Sequence, residues 1–342
     1  MINPKTVDWD SLGFDFVETK SMFKAVSNKN GSWENGGLIP SGNILISPAA
    51  SVLNYGQGVF EGMKAYQTSK NRVVLFRPEM NAKRFSVSLK RLCMPGIDVD
   101  YFINAVLETV QDNIDYVPPF GRGSLYIRPI AWGTAPTLGV KPAEKYTFMI
   151  YVCPVGSYFK GRVKPLNLKV AYGYHRAAPK GIGNVKAIGN YSASLYPLSQ
   201  AKNMAFDEVI YLNAGNENMV EEVGSANVFA LSGNILKTPK LAGSILPGIT
   251  RNSVLTIARE KCGLNVQETD LSLDELLSSD EVFCTGTAVV VTPVGKITCK
   301  EKVHLIHNNK MGPITEKIRK TILGIQGEEL EDSFEWLYEI DR

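Results

Sequence analysis

Histidine and cysteine are scarce, and their placement removes several kinds of chemistry. The 342 residues contain three histidines, of which only His304 and His307 lie close together, and Glu301 is the sole nearby carboxylate that could join them. A metal site needs more ligands than that, so no metal is expected. Five cysteines (Cys93, Cys153, Cys262, Cys284 and Cys299) form neither a CxxC pair nor a disulfide framework. No GxSxG elbow is present to supply a serine nucleophile. No apolar run approaches membrane-spanning length. Charge of one sign is not concentrated either: 37 basic and 34 acidic residues leave a net +3, dispersed along the chain. That is too little to draw nucleic acid or an anionic membrane. The first residues, "MINPKTVDWDSLGFDF", lack an apolar signal core and an Arg/Ser-rich transit composition. A cytoplasmic, bacterial-like location is therefore expected.

What is there is an ordinary globular composition, 44% hydrophobic and 21% charged, long enough for about two domains. "RVVLFR" (72–77) reads as a strand, and Pro78 opens a helix to about Leu92. A second helix covers 100–113. "GSLYIRPIAW" and "KYTFMIYVCPV" read as strands rich in aromatic and β-branched residues. Gly, Pro and charge concentrate in "GSYFKGRVKPLN" (156–167), the expected interdomain linker. Beyond it come a strand, "LKVAYGY", and a helix through Leu195, Leu198 and Ala201. A strand follows at "EVIYLNAGNE", then a hairpin turning at Ser232–Asn234. Pro247-Gly248 precede a helix for which Thr250 is the expected cap. "DEVFCTGTAVVVTPVG" reads as one buried strand interrupted at Gly286. Strands and helices do not alternate as a doubly wound sheet requires, so the expected class is α+β. The domains are set at 1–157 and 179–342, with 158–178 as linker and first strand of the second.

With histidine, serine and metal chemistry set aside, "PKGIGNVKAIGNY" (179–191) becomes the stretch of interest. It is not a phosphate loop: GxxxxGK needs a following Ser or Thr, whereas Lys186 follows Gly183 by three and precedes Ala187. It is not a dinucleotide fingerprint, because Lys186 stands where the third glycine belongs. Two readings remain, a solvated loop lysine and a reactive one. Val185, Ala187 and Ile188 would desolvate an ammonium and lower its pKa. A lysine in that state can form a Schiff base with an aldehyde.

Five blocks in order, "FEGMKAY" (60–66), "VKAIGNY" (185–191), "EEVGSANVF" (221–229), "ILPGITR" (245–251) and "FCTGTAVVVTPVG" (283–295), resemble a branched-chain amino-acid aminotransferase. This is a two-domain, fold type IV enzyme of the class-IV aminotransferase family, each domain a mixed, mainly antiparallel sheet or barrel with flanking helices. The resemblance runs from about residue 35 almost to the C-terminus. It implies pyridoxal 5′-phosphate (PLP) and a reversible, ping-pong amino transfer between leucine, isoleucine or valine and 2-oxoglutarate. Lys186 matches the lysine that holds PLP and shuttles the proton. Glu222 matches the carboxylate facing the pyridine nitrogen, and Tyr191 the donor to the phenolic oxygen. Arg84 matches the phosphate arginine, with Arg77 ranked second. Ile249 and Thr250 offer backbone N–H groups to the phosphate, Thr287 a hydroxyl, and Leu246 packing on the ring.

The resemblance also implies substrate contacts. Tyr126 and Arg128, two apart on a strand, share a face, and the arginine meets the side-chain carboxylate of glutamate. An exposed edge-strand arginine is the plainer reading. Phe60, Tyr158 and Tyr191 supply aromatic walls, and Thr287 and Ala288 backbone N–H groups for the α-carboxylate. Tyr55 and Leu138–Val140 resemble residues lent to a neighbouring subunit, which implies a homodimer at least. Some animal relatives carry a CxxC pair where this chain has Val289 and Thr292, so no thiol switch is expected there. Ser225 sits at a variable position, and nothing in the sequence explains Lys180. Two alternatives stay open. One is another fold type IV enzyme, a D-amino-acid aminotransferase or aminodeoxychorismate lyase. The other is a PLP-independent protein whose glycine loops bind a phosphate ligand.

Overall fold

The structure is a computed structural model that describes residue 4 and residues 7–28, 31–156 and 163–340. Tyr158 and half of the expected linker at 156–167 lie outside the described residues. In chain order the first elements are β1 (Ser21–Asn28), β2 (Gly37–Pro40), α1 (Ser51–Tyr55), β3 (Gly58–Phe60), β4 (Met63–Gln67) and β5 (Val73–Phe76). Next come α2 (Pro78–Arg91), α3 (Val99–Asp112), β6 (Ser124–Gly133), β7 (Lys145–Val155), β8 (Leu166–Ala171), α4 (Gly189–Ser192) and α5 (Leu195–Asn203). Then follow β9 (Glu208–Asn213), β10 (Asn216–Val223), β11 (Ala226–Ser232), β12 (Ile235–Pro239), α6 (Ile249–Glu260), β13 (Asn265–Thr269) and α7 (Leu273–Leu277). The last are β14 (Glu281–Gly286), β15 (Val290–Cys299), β16 (Lys302–Leu305), α8 (Pro313–Gln326) and β17 (Leu337–Ile340).

The chain falls into two compact units, Met1–Lys160 with Val185–Gly189 and Gly324–Arg342, and Gly161–Asn184 with Asn190–Leu323. This division differs from the expected one at two places. Val185–Gly189 joins the first unit because it runs along β3: Phe60 N donates to Lys186 O (3.1 Å) and Ile188 N to Gly58 O (3.0 Å). The C-terminal strand β17 joins it by pairing with β5. Backbone pairing of this kind leaves no trace in local periodicity.

In the first unit the described strands form an eight-stranded sheet in the order β17-β5-β4-β6-β7-β1-β2, with β3 on β6. Two helices cover one face. Helix α2 turns Ala82, Phe85 and Leu89 inward and α3 turns in Phe102, Val106 and Val110, the spacing of one helical stripe. Asp98 caps α3 by accepting from Asp100 N and Tyr101 N. The stripes meet the sheet at Phe148, whose ring lies 5.6 Å from Phe85, 6.1 Å from Phe102 and 5.9 Å from Trp33.

The second unit is a nine-stranded sheet, order β10-β9-β8-β15-β14-β11-β12-β13, with β16 on β15. A further pairing of β10 with β11 closes part of it into a barrel. On β11, Val228 and Ala230 join the barrel core, while Phe229 on the opposite face stacks on Phe283 at 5.0 Å. Both faces are buried, so the strand shows continuous hydrophobicity rather than alternation.

Two local expectations are corrected. "DEVFCTGTAVVVTPVG" is two antiparallel strands, not one: β14 and β15 turn back on each other, with Gly286 opposite Val290. Gly248, not Thr250, occupies the N-cap of α6, and no side chain caps it. A Cβ at Gly248 would stand 2.0 Å from Asn227 Oδ1, so the approach of Asn227 leaves no room for a capping side chain. None of the described helices is long and apolar enough to cross a membrane.

Candidate active site

In the first unit, polar groups converge on Lys186. Ala187 forms a single antiparallel bridge with Val59 of β3, and Ser88 Oγ accepts from Lys186 N at 3.0 Å. Helix α2 thereby does two jobs. Its apolar stripe enters the core, while Asn81, Arg84 and Ser88, at helical spacing, form a polar stripe toward β3 and the lysine segment.

Arg84 does not stand alone. Glu61, fully buried, takes Arg84 Nε at 2.7 Å and Nη2 at 2.8 Å, a two-pronged ion pair. Asn81 Nδ2 (2.7 Å) and Gly62 N (3.1 Å) also donate to Glu61 Oε2. Burial alone would raise the Glu61 carboxyl. The Arg84 guanidinium, with Lys186 and the Asn81 hydrogen bond, outweighs it and holds the group below the ordinary carboxylate value.

Lys186 Nζ lies 4.8 Å from the centre of the Phe60 ring. Arg128 packs over the same ring at 4.8 Å and over Tyr126 at 5.1 Å, and its Nη2 donates to Tyr126 Oη at 3.1 Å. Arg128 is thus half-buried against aromatic rings in the sheet, not an exposed edge residue. Desolvation is the largest influence on the lysine and lowers its pKa to about 8; Arg84 pushes the same way and Glu61 opposes. Arg77 is placed over the Trp336 ring, 4.9 Å from its centre. Tyr55 and Leu138 meet at an exposed tip, where the tyrosine hydroxyl donates to the Leu138 carbonyl.

The second unit has its own polar cluster around Glu222 on β10. The carboxylate is 1% exposed and takes Arg176 Nε at 2.6 Å, Asn227 Nδ2 at 3.0 Å and Leu246 N at 3.3 Å. Arg176 is held in turn by the carbonyls of Gly183 (3.1 Å from Nη2) and Ser244 (2.9 Å from Nη1). Leu246 and Ile249 are buried beside the start of α6, and Thr250 follows in its first turn. Thr287 and Ala288 occupy the β14–β15 turn, and Tyr191 lies in α4.

Sequence reasoning missed Glu61, Asn81 and Ser88, and also Arg176, Asn227 and Thr285. Glu61 and Asn227 lie inside quoted blocks, and the i, i+3, i+7 polar stripe of α2 was a readable signal. Thr285 is buried, its Oγ1 has no partner among the described residues, and it stands opposite Asn227 in register, on the same face of the sheet.

The chain matches the family Amino-transferase class IV over residues 58–297. It belongs to that family, whose members use PLP. More particularly, its relatives include several branched-chain aminotransferases. It is 47% identical over 331 residues to branched-chain-amino-acid aminotransferase 3, chloroplastic, of Arabidopsis thaliana, covering 96% of this chain and 80% of that protein. It is 46% identical over 338 residues to branched-chain amino acid aminotransferase 1, mitochondrial, of Humulus lupulus, covering 99% and 86%. The solved branched-chain amino acid aminotransferase of Thermobaculum terrenum, in its PLP form, superposes with a TM-score of 0.80 at 26% identity, covering 95% of this chain and 99% of that one. The expected α+β, fold type IV architecture is the one observed. The expected cytoplasmic location is overturned: these plant relatives carry chloroplastic and mitochondrial names.

The residues present fit PLP. A desolvated amine suits its aldehyde, and a buried, ion-paired carboxylate suits a pyridinium nitrogen. The twelve-residue helix α6, whose N-cap Gly248 receives no side-chain hydrogen bond among the described residues, suits a phosphate. The unpartnered Thr285 hydroxyl adds a donor on the Glu222–Asn227 face.

The charges around Lys186 give a signed expectation. Its folded value of about 8 lies below the ordinary 10.5, so between these limits the folded chain binds fewer protons than the unfolded one. This group's contribution to stability therefore rises with pH through that window. In the cofactor-free chain, the pH midpoint of Lys186 modification by an amine reagent should fall when Glu61→Gln removes the anion. It should rise when Arg84→Met removes the cation. Shifts in the opposite directions would contradict the arrangement.

Proposed function

We propose that the chain catalyses reversible amino transfer between the L-branched-chain amino acids and 2-oxoglutarate, using PLP bound through Lys186. The observation that carries this reading is the amine itself, brought to about 8 among Phe60, Arg84 and Arg128. At pH 7 about a tenth of such an amine is unprotonated, far more than of an ordinary lysine, and able to act as nucleophile and base. Bound PLP supplies the electron sink that lets a proton leave the substrate Cα. Lys186 Nζ takes that proton. Glu222, bonded to Arg176 and Asn227, would face the pyridine nitrogen, and Tyr191 would donate to the phenolic oxygen. By the resemblance, Arg84, fixed by Glu61, would be a phosphate ligand, as would the N–H groups of Ile249 and Thr250 and the Thr287 hydroxyl, with Leu246 packing on the ring.

Substrate discrimination follows from the same residues. Phe60 and Tyr126 line an apolar space, and burying an aliphatic side chain there stabilises binding by about 1.5–3 kcal/mol. That separates leucine from polar amino acids but barely from isoleucine. Tyr158 is assigned to the same wall by resemblance alone. Arg128 meets the side-chain carboxylate of glutamate, and Ala288 N–H the α-carboxylate. The purified holoprotein should show a visible absorbance band that L-leucine removes and 2-oxoglutarate restores. Lys186→Ala should lose both the band and turnover. Arg128→Ala should raise the KM for 2-oxoglutarate about 10- to 100-fold, the worth of a charged hydrogen bond, and leave leucine nearly unaffected. Equal losses on both substrates would refute the role given to Arg128.

A homodimer belongs to the same reading. Leu138 is 91% exposed and Val140 86%, beside the half-exposed Tyr55, an apolar tip of the kind that marks an interface. A second copy of the chain would cover it and receive Tyr55 and Val140 near its substrate. Light scattering should give twice the chain mass for the wild type and a single mass for Leu138→Asp; a monomeric wild type would remove Tyr55 and Val140 from the site.

A further inference from the structure

The turn that carries Thr287 and Ala288 is strained at its far end. Gly286 and Val290 are the last paired residues of β14 and β15, and Val290 has φ +58°. A β-branched side chain is unfavourable in that left-handed region, and such a conformation persists only where its surroundings impose it.

Helix α8 supplies the restraint. Arg319 Nη1 donates to Val289 O at 3.2 Å and to Val291 O at 2.7 Å, the carbonyls on either side of Val290. Thr292 Oγ1 adds a bond to Val289 O at 3.1 Å. Arg319 is half-buried and forms no ion pair with any described carboxylate. Its guanidinium is spent on two carbonyls, and desolvation disfavours its charge. An uncompensated cation behind a turn is costly unless something in front of the turn benefits from it. An anion held by the Thr287 hydroxyl and the Ala288 N–H would benefit, through an interaction weakly screened by water.

We propose that Arg319 is the positioning residue of the 287–289 turn, clamping the carbonyls that flank Val290 so that the turn presents its hydroxyl and N–H groups to the cofactor phosphate and the substrate carboxylate. The proposal rests on the assignment of Thr287 and Ala288 made above, and it adds a residue remote from them in sequence.

The test uses Arg319→Met, Arg319→Lys and the near-isosteric Thr292→Val. In the cofactor-free chain, hydrogen exchange of the peptide covering 286–291 should quicken about tenfold in Arg319→Met, with other segments unchanged. In the holoenzyme, the Kd for PLP and the KM for leucine should each rise about tenfold, the loss of a charge-assisted hydrogen bond, while kcat stays within about threefold. Arg319→Lys should recover much of both, because it keeps a donor and the charge. Thr292→Val should shift the same quantities less, and it stands in if Arg319→Met does not fold. Unchanged exchange, Kd and KM in these variants would overturn the proposal. Quickened exchange without a change in Kd or KM would also overturn it, since Arg319 would then hold a turn that binds neither group. A wild-type chain that binds no PLP would instead defeat the functional reading, and the exchange measurement would still decide whether Arg319 holds the turn.

Discussion

Two backbone hydrogen bonds between β3 and residues 185–189 decide what kind of lysine Lys186 is. They draw five residues out of the second half of the sequence and lay them on the first unit, beside α2 and the Phe60 ring. Without that pairing the segment would be a glycine-flanked loop, and its lysine would titrate in water. With it, the ammonium lies among an aromatic face and two arginines, and the neutral form becomes accessible near physiological pH. Position, rather than any special property of the residue, makes the amine reactive.

The buried charges follow one pattern in both units. Glu61 is tied to Arg84, and Glu222 to Arg176, each pair completed by an asparagine and a backbone N–H. A buried ion pair seldom adds stability over an apolar one, because desolvation consumes the Coulombic gain, whereas removing one partner is severely destabilising. Such pairs make sense where an ionised group must be held in one orientation. Glu61 fixes an arginine, and Arg176 fixes a carboxylate. The polar stripe of α2 shows how cheaply this is arranged: the helix that fills the core with Phe85 and Leu89 presents Asn81, Arg84 and Ser88 on another face.

Much of the fold was legible because long strands and helices carry their own periodicity. The strands at "GSLYIRPIAW" and "KYTFMIYVCPV", the helix over 100–113 and the Ser232–Asn234 hairpin all appear as read. What escaped depended on partners distant in the chain. The membership of Val185–Gly189 and β17 in the first unit is set by backbone pairing, which is blind to side-chain pattern. The β14–β15 reversal escaped because both strands are apolar and no Asn-Gly or Pro marks the turn. Lys186 and Glu222 were singled out from their blocks, and each lies in a buried polar cluster. Arg176 and Arg319 were not singled out, since each acts through a contact made only after folding. The location inferred from N-terminal composition conflicts with the relatives' names, because it was read from what the first residues lack rather than from anything they carry.

The central claim is that Lys186, and no other lysine, carries the cofactor. Borohydride reduction of the purified holoprotein, followed by proteolysis and mass mapping, tests it most directly. The account predicts the phosphopyridoxyl mass on the peptide containing Lys186, resolved from Lys180 by fragmentation. Its appearance on Lys180, on another lysine or on none would contradict the account.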